Sequence, residues 1–166
     1  MPALEAGVIA PDFSLPTVGG KEVSLTEALA KGPVLLAFFK VSCPVCQYAF
    51  PFFERIFQSN RSGNVTVLGV SQDIPKKTRA FLQEYGVTFP IAIDDESNGY
   101  AVSNAYGLTN VPTVFLIAPS GEIEISSVGW SKRDVEAINQ RLAEYRNQSA
   151  SPIWHSRESI EEYRAG

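Results

Sequence analysis

The stretch Val34-Leu35-Leu36-Ala37-Phe38-Phe39, running through Lys40-Val41-Ser42 into Cys43-Pro44-Val45-Cys46, decides the fold. Six apolar residues without polar alternation predict a strand buried on both faces, as in the middle of a partly parallel sheet. Pro44 has its φ preset for a first helical turn and lacks the N–H that such a position leaves unpaired. A helix is therefore predicted to start directly behind Cys43 and run to about Gln58, with Tyr48, Phe52 and Ile56 at helical spacing. The only two cysteines of the chain thus fall at a strand-to-helix junction, Cys43 at the helix N-terminus and Cys46 one turn in. Backbone N–H groups and the helix dipole favour a thiolate at the first of them. A mixed disulfide formed there is within reach of the second. The pattern predicts disulfide exchange, Cys43 attacking and Cys46 resolving. Lys40, three residues earlier, is a candidate for added positive potential at the sulfur; the alternative is a lysine that points to solvent.

Working outward, Ala10-Pro11-Asp12-Phe13-Ser14-Leu15 and Gly19 to Leu25 read as a short hairpin around a Gly-Gly turn, with Thr26 capping a short helix to Ala30. Behind the cysteine helix come a strand over Val65 to Val70, a helix opened by Pro75 and ended near Gly86, and an extended piece over Phe89 to Ile93. A helix over Gly99 to Tyr106 follows. Residues 113–117 and 122–126 then form a hairpin across Pro119-Ser120-Gly121, its second strand alternating as an edge strand does. Ser131 caps a last core helix to about Arg146. The order β-α-β-α-β-α-β-β-α predicts an α/β fold of three layers, a central mixed sheet between helices, with an N-terminal β-hairpin extension. Residues 1–146 make the domain. Residues 147–166 read as a polar link and a helical tail, with Trp154, Ile160 and Tyr163 available for docking on the body or for pairing two chains into a homodimer.

With 166 residues, 45% hydrophobic and 19% charged, the chain suits a single globular domain. The net charge of −4 leaves no basic stripe to replace phosphate counterions, which argues against nucleic acid as a partner. No apolar run is long enough to span a bilayer. Residues 1–10 lack a basic region followed by an apolar one, so the sequence as given is expected to be cytoplasmic. A periplasmic or membrane-tethered home is the expectation if a leader has been trimmed. Asp94-Asp95-Glu96 is expected to be a solvated loop that also supplies negative charge at the N-terminus of the next helix.

Strand, C-x-x-C and helix, together with Asn110-Val111-Pro112-Thr113 leading into a hairpin and the opening Ala10-Pro11-Asp12-Phe13-Ser14-Leu15, resemble the thioredoxin-like superfamily. The branch they are most similar to is the AhpC/TSA-type redoxins that include TlpA-like and ResA-like thiol-disulfide oxidoreductases. The resemblance covers about residues 8–146. It implies a cis Val111–Pro112 bond beside the cysteines and a Val111 backbone that pairs with the bound partner, with Ser42 and Pro44 at the same surface. It also implies a disulfide-bearing protein or small thiol as substrate and an upstream reductant. No cofactor is called for, since the sulfurs carry the electrons.

Some residues depart from the pattern. Ser42 and Val45 stand where Trp and Pro are usual, and Ala37 replaces a buried acid on the incoming strand. Glu54 and Glu122 are then the remaining carboxylate candidates for deprotonating Cys46. Gly69-Val70-Ser71-Gln72-Asp73 resembles the neighbouring peroxiredoxins, which makes a thiol peroxidase an alternative. Lys40 and Leu36, however, occupy the positions of its Thr and Pro, and the Arg expected before the strand at Thr113 is missing. A metal site is opposed by the sole histidine, His155, lying in the tail. The last alternative is a redox-silent binding module of the same fold.

Overall fold

In a computed structural model, which describes residues 2–166, the apolar run becomes β3 (Val34–Phe39), every residue of it buried. It sits in the middle of a five-stranded sheet of order β5-β4-β3-β6-β7, with β4 (Thr66–Ser71), β5 (Ile91–Ile93), β6 (Thr113–Ile117) and β7 (Ile123–Val128). β3 runs parallel to β4 and antiparallel to β6, so the sheet is mixed. Successive side chains of a strand point to opposite faces. Leu35, Ala37 and Phe39 accordingly join one apolar cluster with α2 (Pro44–Ser59), α3 (Pro75–Tyr85) and α5 (Lys132–Tyr145). Val34, Leu36 and Phe38 join another with α1 (Leu25–Leu29) and α4 (Ala101–Ala105). The three predicted layers are present, and β1 (Ser14–Pro16) with β2 (Glu22–Ser24) is the expected N-terminal hairpin.

Three local readings differ from the sequence expectation. Ser24, not Thr26, caps α1: its hydroxyl accepts from the Glu27 N–H, the Ser-x-x-Glu arrangement, while the Thr26 N–H donates to Asp12. Asp94 does place its charge at the start of the next helix, α4, but is fully buried rather than solvated. Its carboxylate accepts from the N–H groups of Val102 and Ser103, the Ser103 hydroxyl and the Asn98 amide, satisfying donors that a helix start leaves free. The third difference is the tail. It is not helical: it crosses the body in extended form and ends in β9 (Tyr163–Arg164), antiparallel to β8 (Trp130–Ser131). A short isolated helix is marginal in water, whereas the extended segment pairs its backbone with a ready edge. Ile153 is buried, and Trp154 packs on Phe52 and Trp130 at 5.3 and 6.1 Å. Tyr163, expected to dock, is 63% exposed. Trp154 and Ile160 thus spend their apolar surface on the body of the same chain.

Candidate active site

β3 delivers the chain to the surface at Lys40, and the next turn is pinned from two sides. Asp73, just after β4, accepts the Val41 N–H at 2.8 Å, and the Gln47 side chain donates to the Val41 carbonyl at 3.0 Å. The loop therefore enters α2 in one defined position. Cys43 is the N-cap, in extended conformation, with Pro44 at the first helical turn. The Cys46 N–H donates to Cys43 Sγ at 3.3 Å, so the sulfur fills the capping position that an oxygen usually takes. The same sulfur donates to the Val111 carbonyl at 3.4 Å.

Val111–Pro112 is a cis peptide. The loop that carries it is braced by the Thr113 hydroxyl, which donates to the Asn110 carbonyl at 2.7 Å, and by the Gly129 N–H, which donates to the Pro112 carbonyl at 2.7 Å. Cys43 is half-buried and opens into a cleft of about 330 Å³ lined by Lys40, Gln72, Leu108, Thr109, Asn110, Val111 and Gly166. Cys46 is fully buried, in the apolar cluster that also holds Ala37, Phe39, Ala49 and Phe50. Burial pushes the Cys46 thiol well above its ordinary range, and the adjoining Cys43 side chain adds to the effect. Both cysteines are free thiols.

The structure thus brings Cys43, Cys46 and Val111 into contact and sets Lys40 in the same cleft. Pro112 lies buried behind Val111, while Ser42 and Pro44 are exposed at the start of α2 and do not line the cleft. The carboxylate candidates fall away. Glu54 is taken up by the Thr88 N–H and hydroxyl and by Gln58, two helical turns beyond Cys46. Glu122 is exposed beside Ile123, which pairs with Ile117 at the far end of β6 from Thr113. Ala37 brings no acid into the apolar cluster that holds Cys46.

Sequence reasoning missed four contributors: Asp73, Gln72, Asn110 and Gly166. Asp73 and Gln72 belong to the Gly69-Val70-Ser71-Gln72-Asp73 stretch that resembles the peroxiredoxins, and Asn110 to the Val-Pro motif, so both stretches carry a signal. Gly166 had none. Among the described residues no group of three or more His, Cys, Asp or Glu is placed to hold a metal ion, and no helix is long and apolar enough to cross a membrane.

Comparison with known proteins gives the family and the fold. Residues 6–126 match the model of the AhpC/TSA family. The thiol-disulfide oxidoreductase ResA of Geobacillus thermodenitrificans is 34% identical over 136 residues, covering 81% of this chain and 76% of the relative. The thioredoxin domain of a thiol-disulfide oxidoreductase from Bacteroides vulgatus superposes with a TM-score of 0.72 at 20% identity, over 81% of this chain and 95% of that one. A thiol:disulfide interchange protein from Bacteroides sp. does so with a TM-score of 0.72 at 22% identity, over 87% and 91%. At such identities the two structures speak for the fold alone.

Proposed function

The chain belongs to the AhpC/TSA family and is a thiol-disulfide oxidoreductase, and from that premise we propose that Cys43 and Cys46 reduce protein disulfides by a two-step exchange. The observation that carries the reading is the asymmetry of the pair. One sulfur opens to a cleft at a helix N-terminus, and the other lies sealed one turn behind it.

Cys43, as thiolate, attacks one sulfur of the substrate disulfide. A Cys43–substrate bond forms, the substrate S–S bond breaks, and the second substrate sulfur leaves as a thiolate that takes up a proton. Cys46 then loses its proton and attacks Cys43 Sγ. The Cys43–Cys46 disulfide forms and the first substrate sulfur is released. The substrate gains two electrons and two protons, and the protein pair is oxidised by the same amount. An external dithiol, the upstream reductant, resets it. Val111 presents its backbone beside the reacting sulfur, with the Pro112 ring behind it, and Ser42 and Pro44 form the outer rim that the partner meets. Lys40 contributes a positive charge to the cleft mouth.

Insulin reduction in the presence of dithiothreitol tests the reading. The parent should accelerate precipitation of the insulin B chain, and Cys43→Ser should fall to the uncatalysed rate. Equal rates for the two would overturn it.

A further inference from the structure

Residues 161–166 reach the cleft yet have no part in the exchange chemistry. We propose that they form a built-in wall that closes one side of the Cys43 cleft and restricts the protein to disulfides offered from the other side, on small molecules or short protruding loops rather than along extended chains. The inference rests on the disulfide-exchange reading and deepens it.

Three observations carry it. First, the segment already pairs its backbone beside the site, where β9 and β8 form a short two-stranded ladder of their own. Trp130 pairs with Arg164 and Ser131 with Tyr163, and the Lys132 N–H donates to the Glu162 carbonyl at 3.0 Å. An extended peptide recognised through its backbone adds to an edge in the same way. The resident strand is tethered, with an effective concentration of about millimolar, so a weakly held incoming chain does not displace it.

Second, the segment fits tightly at two glycines, Gly129 behind it and its own Gly166 at the cleft. Gly129 has φ +76°, and a Cβ there would stand 2.5 Å from the Arg164 carbonyl oxygen. A Cβ on Gly166 would stand 2.6 Å from the Val111 carbonyl oxygen, the same oxygen that accepts from Cys43. The Asn110 side-chain amide donates to the Gly166 carbonyl at 3.1 Å.

Third, the segment is fastened from behind. The Trp130 indole N–H donates to the Glu161 carbonyl at 2.6 Å, and the Glu161 N–H donates to the Tyr48 hydroxyl at 3.1 Å. The Arg164 guanidinium lies 5.4 Å from the centre of the Tyr48 ring. Upstream, Arg55 holds Glu158 through two hydrogen bonds of 2.7 Å and the Ile153 carbonyl through one of 2.8 Å. Fastening of this extent describes a fixed wall rather than a transient plug. Away from Gly166, Asn110 and Val111, the remaining lining of the cleft around Cys43 is Lys40, Gln72, Leu108 and Thr109.

The test compares the full chain with a variant lacking Ala165 and Gly166. Both residues are exposed, so their removal takes nothing from the core. With insulin and glutathione disulfide as substrates, the ratio of kcat/KM for insulin to that for glutathione disulfide should rise about fivefold or more in the variant. An unchanged ratio, or a lower one, overturns the wall. A second readout is alkylation of Cys43 by a polyethylene-glycol maleimide relative to iodoacetamide. Their rate ratio should also rise in the variant, and no rise counts against the proposal. This readout needs no turnover, so it decides the wall even if Cys43→Ser shows that the exchange reading itself is wrong.

Discussion

Two sulfurs on one helical turn meet different surroundings, and that difference orders the reaction. Cys43 is in reach of a substrate. Cys46 is not, and burial holds it as a thiol well past the pH at which an ordinary cysteine ionises. Cys46→Ser should therefore leave the first attack intact and accumulate a mixed disulfide on Cys43, visible by mass spectrometry as the mass of the trapped substrate. In the parent, release of that mixed disulfide needs the Cys46 thiolate. Its rate should keep climbing, about tenfold per pH unit, beyond the value near 8.5 where an unperturbed thiol would level off. A plateau at that value in stopped-flow measurements would mean that Cys46 is not held neutral by its surroundings. The spacing of the cysteines and the Pro44 signal made this pair legible. The proton path was not: Glu54 and Glu122 look equally available in a sequence, and only packing shows that each is engaged or exposed elsewhere.

Among the elements, the strands and helices around the sheet follow from local pattern, because apolar periodicity and Gly or Pro punctuation act within a few residues. Gly86 ends α3 in the left-handed region, as its position predicts, and Ser131 caps α5 by accepting from the Asp134 N–H. The tail obeys no such rule. Its weak helical amphipathicity loses to a backbone edge and an aromatic cluster supplied by Tyr48, Phe52 and Trp130, all remote in sequence. Ile153, which follows α5 across a polar link, is 4% exposed and shares the cluster of Val135, Ile138 and Leu142. Ile153→Ala should cost roughly 2–5 kcal/mol in urea unfolding, with a single transition. A cost near zero would show that the tail stands outside the cooperative fold. Glu158 adds to the fastening: two hydrogen bonds from Arg55 hold its carboxyl down to about 2, so this anchor stays charged except in strong acid.

For the molecule as a whole, the buried acids that stay protonated predict an alkaline limit. Cys46 lies under one face of the sheet and Tyr106 under the other. Burial raises both above their ordinary ranges, and Tyr106 donates its hydroxyl to the Pro11 carbonyl at 2.6 Å. The unfolded chain loses these protons near the ordinary values, about 8.5 for the thiol and 10 for the phenol, while the folded chain keeps them. The unfolded state then binds fewer protons, so stability is intact below about pH 8 and falls as pH rises. Once a group is ionised in the unfolded state only, the slope is about 1.4 kcal/mol per pH unit per group. Denaturation midpoints between pH 8 and 11 should show this decline, and Tyr106→Phe should flatten it above pH 10. An unchanged slope in that variant would remove Tyr106 from the account.

By itself the sequence determined the layers, the order of elements and the cysteine pair, since each rests on signals between near neighbours in the chain, whereas the Val-Pro loop facing the pair was implied only by the family resemblance. Tertiary structure decided what surrounds the pair: apolar packing in place of an acid, Asp73 pinning the loop, and Gly166, at the end of the tail, standing against Val111. The last two join segments 32 and 55 residues apart. Whether an extended segment finds a free edge, or a carboxylate finds a proton to take, depends on surfaces that exist only once the sheet has assembled.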